Sequence, residues 1–326
     1  MAALAGTSTI TVSRALRHPR MVSEALRARI TQAVEALGYV PNPAATALAS
    51  RRTTVVGVVV PSLADPAFAE ILDGLYEAAS GSAFTLQPAF TRGDAATEDR
   101  LIRGFAAQRP AALIVAGIDQ SPASRMILRQ AACPVVQIMD LADDAIDMLV
   151  GFSHRMAARA AVEHLLAQGY GAPAFIGAAM DLRAERRLAG YRDALAAAGL
   201  SQRARVVTTP KPSGVSLGAT LFVRLREHAP DADSVLCNDD DLALGAFFAA
   251  QGAGLGVGGD VGICGFGDRD IMAAANPAIT SVRTPRREIG TTAWSMIAAR
   301  LAGEDPGPAV RDLGFTIMAR ASTRRD

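Results

Sequence analysis

Aromatic residues and cysteines are scarce in this chain, which narrows the kinds of protein it can be. Only 5% of the 326 residues are aromatic, and the three cysteines, Cys133, Cys237 and Cys264, lie far apart in or beside apolar runs. Such cysteines behave as small buried hydrophobes. With the four histidines they form no metal-binding spacing, so we expect no metal site and no cofactor.

Long hydrophobic segments are also missing. No apolar run reaches the roughly 18 residues that cross a bilayer. The opening MAALAGTSTITVSRALRHPR lacks the basic start and sustained apolar region of a signal peptide. We therefore expect a cytoplasmic protein with no membrane partner. A length of 326 residues exceeds the usual size of one hydrophobic core and indicates two or three folding units.

Charge is distributed unevenly along the chain, although its net value is only +1. Residues 1–52 contain seven arginines and two glutamates, a net charge of +5, which leaves −4 for the other 274 residues. A small basic head on a slightly acidic body indicates that the head meets a polyanion and the body does not.

The first fifty residues show helical patterns. Ser8 can cap a helix in STITVSRAL, and Ser23 can cap a second in VSEALRARITQAVEALGY, which Gly38 ends. The segment VPNPAATALASRR then predicts a short alanine-rich helix from Pro43 to about Ser50.

Strand and helix patterns alternate in the rest of the chain. A first series contains the strands TVVGVVVPSL, FTLQPAF, AALIVAG and PVVQIMD; a second begins near Gly151 and contains PAFIGA, ARVVTT, SVLCN and VGICGFG. Apolar strands linked by helices are typical of a doubly wound parallel sheet. Two such series predict an α/β body of two lobes, with a ligand cleft at the carboxyl ends of the strands.

Several blocks together carry a family resemblance. ALAGTSTITVSRALRHPRMVSEALRARITQAVEALGYVPNPAATALASRRTTVVGVVVPSL, NDDDLALGA, ICGFGD and PAITSVRTPRREIG resemble the LacI/GalR family of transcriptional regulators over essentially the whole chain. Within it, FAEIL, PVVQIMD, VGFSH, GFGDRDI and DLGFTI are most similar to the gluconate-operon repressor branch.

The resemblance implies a division of the chain into three parts. These are a helix-turn-helix head at 1–42, a hinge helix at 43–52 and a periplasmic-binding-protein type I-like effector and dimerisation domain at 53–326. The N-lobe of that domain would comprise about 53–152 and 284–312, and the C-lobe about 153–283 and 313–326.

The resemblance also assigns DNA contacts. Thr9 and Ile10 would read bases from a recognition helix at about Thr9–Leu16, with Arg14 on a guanine edge or a phosphate. Leu48 of the hinge would wedge open a base step in the minor groove, or else pack against the body's core. Each contact residue could instead belong to a solvated helix face. The remaining expected contacts, several of them to phosphates, are Ser8, Ser13, Ser23, Asn42 and Ala45.

Both ends of the chain depart from the family pattern. Family members carry further residues before the position of Met1, so the chain would begin inside helix one. Because valine is usual at that position and GTG can serve as an initiator codon, we expect the natural start to lie upstream; a head this short would bind DNA weakly. The family's tetramerising heptad tail has no counterpart in ARASTRRD, which favours a homodimer.

Effector contacts can be carried over position by position. Asp239 stands where asparagine is usual, Gly267 stands where aspartate is usual, and Arg286 stands where neutral-sugar repressors have a hydrophobic residue. The expected effector residues are Ser62, Asp65, Phe68, Asp140, Phe152, Arg183, Arg187, Asp239, Asp268 and Arg286.

The chemistry of this set indicates an anionic ligand. Carboxylates accept hydrogen bonds from vicinal hydroxyls and arginines clamp carboxylates, so both together fit a polyhydroxy acid. We therefore expect gluconate, or a close keto-gluconate or phosphorylated relative. The alternative is that Arg183 and Arg186 form surface ion pairs with Asp181 and Glu185.

The predicted function is a LacI-type transcriptional repressor whose binding to operator DNA is controlled by a sugar acid. One rival is a solute-binding protein for a sugar or sugar acid, against which the basic head argues. Another is an enzyme that uses Asp239, Asp240 and Asp241 as metal ligands, or a serine with His154 as a nucleophile. No nucleophile-elbow or phosphate-cradling glycine loop is present, and acidic residues suit a helix N-terminus, so we expect no enzyme.

Overall fold

The computed structural model describes residues 1–17, 21–38 and 53–325. The chain forms two compact units, Met1–Thr53 and Thr54–Asp326. The predicted hinge helix at 43–52, with Ala45 and Leu48, and the predicted phosphate contact Asn42 lie outside the described residues.

The first unit contains two helices, α1 (Thr9–Arg17) and α2 (Glu24–Ala36). As predicted, Ser8 caps α1: its Oγ accepts a hydrogen bond of 3.1 Å from the Thr11 N–H. Ser23 occupies the N-cap position of α2, but its side chain makes no capping hydrogen bond. Residues before α1 form hydrogen-bonded turns. A small apolar core joins the two helices through Ala5, Val12, Ala15, Ile30 and Ala33.

The first sheet of the second unit contains six strands: β1 (Val55–Val60), β2 (Thr85–Phe90), β3 (Ala112–Ala116), β4 (Val135–Ile138), β5 (Met148–Gly151) and β11 (Val310–Asp312). Their order across the sheet is β11-β5-β4-β3-β1-β2, and all neighbours are parallel. The apolar run VVGVVV forms the interior strand β1 and is buried along nearly its whole length, as a strand covered on both faces requires.

The second sheet contains β6 (Pro173–Ala178), β7 (Arg205–Thr209), β8 (Ser234–Cys237), β9 (Gly262–Gly267), β10 (Thr280–Arg283) and β12 (Thr316–Met318). Their order across the sheet is β12-β10-β9-β8-β6-β7. Neighbouring strands are parallel except for the edge strand β12, which runs antiparallel to β10.

Helices connect the strands, and many begin at a capping Asp or Ser, as their sequences favour. Two 3₁₀ turns, Ser201–Arg203 and Ala321–Thr323, complete the elements. The helices are α3 (Pro66–Ala79), α4 (Ala95–Ala107), α5 (Pro122–Arg129), α6 (His154–Ala167), α7 (Leu182–Ala197), α8 (Val215–His228), α9 (Asp240–Gly252), α10 (Asp270–Ala274) and α11 (Arg286–Ala302).

The chain passes between the two sheets three times: after β5, after β10 and between β11 and β12. The predicted architecture of two α/β lobes with doubly wound parallel sheets is therefore confirmed. One apolar core contains residues of both sheets and of the first crossing, among them Val58 of β1, Phe152 after β5 and Phe266 of β9. The crossings bring the carboxyl ends of strands from both sheets to one region, which positions the site.

Two other expectations concern burial and membranes. Cys237 and Cys264 are fully buried, as predicted, whereas Cys133 is only partly buried. Among the helices that the structure describes, none is both long and apolar enough to span a bilayer.

Candidate functional site

Arg187, in the second turn of α7, is held by groups from three other elements. Its Nε donates to Nδ1 of His154 over 3.2 Å, and its Nη1 donates to the carbonyl oxygen of Asn238, which follows β8. The guanidinium carbon lies 4.1 Å from the ring centroid of Phe266 in β9, a cation–π contact. The guanidinium is therefore fixed in place before any ligand binds.

The hydrogen-bond acceptors of Arg187 are neutral. Within residues 53–325 no carboxylate oxygen lies within 4.0 Å of its nitrogens. Desolvation, followed by repulsion from Arg183, lowers the pKa of Arg187 to about 10, while Asp181, Asp239 and Asp65 oppose this shift from a distance. A partly buried cation without a paired anion is costly, and an anionic ligand would remove much of that cost.

Arg183 lies one turn earlier on α7. Its Nη2 donates to Asp181 over 2.7 Å, and its guanidinium carbon lies 5.2 Å from the ring centroid of Phe68 in α3. The Arg183–Asp181 ion pair, one half of the alternative to effector binding, is therefore present in the structure. The Phe68 contact joins a helix of the first lobe to a helix of the second, so Arg183 spans the cleft.

Asp140, directly after β4, is buried, with 1% of its surface exposed. One carboxylate oxygen, Oδ1, accepts hydrogen bonds from Arg186 and from the Leu141 N–H, while Oδ2 has no partner among the described atoms. Desolvation raises the pKa of Asp140 despite the neighbouring Arg186. Arg186 thus pairs with Asp140 rather than with Glu185, and one buried acceptor is left for a ligand hydroxyl.

A pocket of about 400 Å³ opens beside Asp140. Of the predicted effector residues it contains only Asp140, and neither Arg183 nor Arg187 lines it. Its lining residues are Asp140, Leu141, Ser153, Arg155, Glu185, Arg186 and Ala189.

Three further predicted residues serve the local backbone. Asp65 caps α3 through a 2.9 Å bond from the Ala67 N–H, and Asp239 caps α9 through a 2.9 Å bond from the Leu242 N–H. Ser62 Oγ accepts from the Ala64 N–H. Burial raises the pKa of Asp239, although hydrogen bonds and Arg187 oppose the rise. Capping leaves oxygens of Asp65 and Asp239 that can face a ligand.

Arg286 begins α11 and is 7% exposed. Its Nη1 donates to Glu70 over 2.8 Å and its Nε to Thr284 over 3.1 Å. The guanidinium lies against Gly267 at the end of β9, so it bridges the two lobes. The charge of Arg286 is already paired with Glu70, so a ligand is not needed to balance it. Its role as an effector contact stays a prediction.

Asp268 is engaged elsewhere. Arg283 Nε donates to its Oδ2 over 2.7 Å, and Arg320 Nη1 lies 2.6 Å from its Oδ1. Both oxygens of this buried carboxylate thus form ion pairs, Oδ2 with Arg283 of β10 and Oδ1 with Arg320 of the segment after β12, but only the Arg283 pair is also a hydrogen bond. The structure does not bring Asp268 into contact with Arg183 or Arg187.

Aromatic rings and a histidine complete the cluster. Phe152, which follows β5, is fully buried, and its ring centroid lies 4.3 Å from that of His154. The sequence predicts no effector role for His154, Phe266 or Asn238, and Asn238 acts here through its backbone oxygen, which accepts from Arg187. Their part in the site is seen only from the ring contacts and the hydrogen bonds to Arg187, which join residues distant along the chain.

The head presents a polar helix face interrupted by one apolar side chain. Thr9, Ile10 and Arg14 are exposed, with Ile10 70% exposed, while Val12 on the opposite face of α1 is buried in the small core. Ser13 is partly buried and Ser23 exposed. An exposed isoleucine at the N-terminal end of a helix is costly in water but suits contact with base methyl groups.

Comparison with known proteins identifies both units. The family model described as bacterial regulatory proteins, lacI family, matches residues 1–42, and the model described as periplasmic binding proteins and sugar binding domain of LacI family matches residues 53–312. The chain belongs to the LacI family. The two descriptions name bacterial regulatory proteins for the head and a sugar-binding domain for the body.

Individual relatives agree with this assignment. The HTH-type transcriptional regulator GntR of Pseudomonas aeruginosa is 38% identical over 319 residues, covering 98% of this chain and 93% of the relative. GntR of Escherichia coli K12 is 34% identical, with coverage of 97% and 95%. A LacI family transcriptional regulator from Silicibacter pomeroyi has a similar structure, with a TM-score of 0.91, 31% identity and coverage of 99% and 98%.

The LacI-family assignment decides between the rival functions. This protein is a LacI-type transcriptional regulator related to GntR, and such regulators are not enzymes. The matching DNA-binding head also distinguishes it from a solute-binding protein that has only the two-lobed body.

Proposed function

We propose that this LacI-family regulator binds a sugar acid such as gluconate between its lobes, and that the sugar acid controls its binding to operator DNA as a homodimeric repressor. The observation that carries this proposal is Arg187, a guanidinium held in place without a carboxylate partner within 4.0 Å in residues 53–325. A carboxylate ligand would supply the missing anion and accept two parallel N–H bonds.

The groups around Arg187 suit the rest of a sugar acid. Asp140 offers a buried, unpartnered oxygen, and carboxylates at Asp65 and Asp239 add further acceptors for hydroxyl groups. Phe68 and Phe266 are buried under the guanidinium groups of Arg183 and Arg187 and provide their apolar backing. A neutral sugar would satisfy the acidic groups but would leave Arg187 without its anion.

DNA binding would use the exposed face of α1. Thr9, Ile10 and Arg14 would meet base edges, with Ser13 and Ser23 on phosphates. Leu48 in the hinge would insert into the minor groove. The effector would favour one arrangement of the lobes and operator DNA another, so the two ligands would change each other's affinity by the same factor.

Calorimetry on the full chain with gluconate, glucose and a hexose phosphate tests the effector class. We expect binding of an anionic ligand, weakened about 100-fold by Arg187→Gln because a charge-assisted pair is lost. Arg192→Gln is the matched control, since Arg192 is exposed on the same helix α7 and should leave the affinity unchanged. Binding of glucose alone, or equal binding by Arg187→Gln and the wild type, would refute the proposal.

A further inference from the structure

His154 is a fully buried histidine at the centre of the arginine cluster. It is the first residue of α6, and its ring packs against two phenylalanines, with its centroid 4.3 Å from that of Phe152 and 6.0 Å from that of Phe266. Both ring nitrogens are hydrogen-bonded, so the side chain has a defined orientation and a defined set of partners.

Its two partners determine where the proton is. Nε2 lies 2.9 Å from the carbonyl oxygen of Met139, and a carbonyl can only accept, so Nε2 carries the hydrogen. Nδ1 lies 3.2 Å from Nε of Arg187, which can only donate, so Nδ1 presents its lone pair. The ring is therefore neutral. Desolvation, together with the nearby Arg187, Arg183 and Arg186, lowers the pKa of His154 well below its ordinary value.

This bond has a consequence for Arg187. The guanidinium has five N–H groups, of which His154 takes the one on Nε and the oxygen of Asn238 takes one on Nη1. A carboxylate can pair with a guanidinium through Nε and one Nη, or through both Nη atoms. With Nε occupied, pairing through Nε is excluded, and a carboxylate has the Nη atoms left: Nη2 with both hydrogens and Nη1 with the one that Asn238 does not take.

The same bond also opposes an alternative position of the side chain. Asp181, Asp239 and Asp65 all attract Arg187 from a distance. If Nε were unbound, the guanidinium could rotate toward one of these carboxylates and be neutralised there. Because His154 holds Nε, the guanidinium stays over Phe266 and keeps its charge available.

We propose that His154 is a positioning residue for the effector: as a neutral Nε2–H ring it fixes Arg187 so that the Nη1–Nη2 edge receives the ligand's anionic group end-on. The proposal rests on the function proposed above, in which Arg187 binds the carboxylate of a sugar acid. Such preorganisation increases affinity because the cost of ordering the side chain is met on folding and not on binding.

Variants of the full chain test the positioning role. His154→Phe keeps the ring and its volume but removes both hydrogen bonds, and His154→Gln can restore one donor and one acceptor. Calorimetry should show gluconate binding weakened about ten-fold in His154→Phe and partly restored in His154→Gln, while glucitol, which has the hydroxyls but no carboxylate, binds these variants and the wild type alike. Equal losses for both ligands, or no loss for gluconate, would overturn the proposal.

Nitrogen NMR of the histidines in the ligand-free wild type tests the same geometry without any effector. We expect His154 to remain the neutral Nε2–H tautomer from about pH 5.5 to 8, with a slowly exchanging Arg187 Nε–H that His154→Phe removes. A His154 that titrates in this range, or carries its proton on Nδ1, would overturn the positioning role. Failure of the wild type to bind any sugar acid would instead refute the function proposed for Arg187, and the NMR result would stand separately.

Discussion

Gly267 leaves the space that the guanidinium of Arg286 occupies. A Cβ at position 267 would overlap Nη2 of Arg286 and lie 3.0 Å from Oδ2 of Asp240. Gly267 also has a φ of +134°, a conformation that other residues rarely adopt. A side chain at position 267, such as the aspartate that the family resemblance leads us to expect there, could therefore not coexist with Arg286 as it stands, and the two residues form a matched pair across the lobes.

Substitution of Gly267 should test this pairing. Gly267→Ala combines a strained backbone with the overlap, so we expect a loss of about 2–4 kcal/mol in the free energy of unfolding, measured in urea. Gly303→Ala is the control, because Gly303 has a φ of +79° but no atom within 4 Å of an added Cβ; it should cost only about 1 kcal/mol.

The contribution of Arg286 can be separated in a double variant. Arg286→Leu should relieve part of the overlap. The loss of unfolding free energy in the double variant should therefore be about 1 kcal/mol smaller than the sum of the losses in the two single variants. Additive effects, or equal losses for Gly267→Ala and Gly303→Ala, would show that the two side chains are independent.

Glu98 in α4 should make stability depend on pH. Burial, with repulsion from Asp119 and Asp99, raises the pKa of Glu98 to about 7 from an ordinary 4.5. The folded protein then binds a proton that the unfolded chain has lost, so this group's contribution to stability falls as pH rises from 4.5 to 7 and is constant above.

Glu98→Gln should remove that dependence. We expect the variant to exceed the wild type by roughly 1–2 kcal/mol in unfolding free energy at pH 8, with the difference vanishing near pH 5. The exposed Glu227 provides the control, since Glu227→Gln should shift stability little at either pH. A difference that grows toward low pH would have the wrong sign for this explanation.

Ile10 should matter for DNA binding and not for folding. It is 70% exposed, whereas Val12 is 6% exposed and belongs to the core of the head. Ile10→Ala should leave the thermal unfolding of the head unchanged and weaken specific DNA binding by roughly 1 kcal/mol. Val12→Ala, in contrast, should lower the melting temperature of the head. A loss of stability in Ile10→Ala would place Ile10 in the core instead.

Much of the body could be predicted from the sequence because its central strands are uninterrupted apolar runs. The strands β1–β4 and β6–β9 fall within segments that the alternation of patterns predicted. The crossing elements β5, β10, β11 and β12 were not predicted individually. Three of them, β10, β11 and β12, mix polar with apolar residues over only three or four positions and so show no clear period. Helix α11, which contains Gly290, was likewise recognised only as a family block.

The site was predictable to the extent that it follows from residue type. Arg187 and Asp140 could be named from position and charge, but their partners could not. Arg186 pairs with Asp140, distant along the chain, in place of the neighbouring Glu185, and Arg187 pairs with His154. Such choices depend on which strand ends meet, and the local sequence does not contain that information.

Asp268 provides a test of a residue that the resemblance assigned to the effector. Because its carboxylate pairs with Arg283 and the largely buried Arg320, Asp268→Asn should lower the unfolding free energy by about 2–4 kcal/mol and leave gluconate affinity unchanged. Asp144→Asn is the matched control, since the Asp144 side chain is 74% exposed and its pair with Arg125 should be worth less than about 1 kcal/mol. Weaker gluconate binding at unchanged stability would make Asp268 an effector contact.

The most direct test of the central claim measures DNA binding and effector binding together. Fluorescence anisotropy would follow the full chain on a DNA fragment that it selects from a random library, at two salt concentrations, with gluconate, glucitol or no addition. We predict an affinity that falls steeply with salt, changes at least five-fold with gluconate alone, and loses this response in Arg187→Gln. An unchanged DNA affinity in gluconate, or an equal response in Arg187→Gln, would contradict control by a sugar acid bound at Arg187.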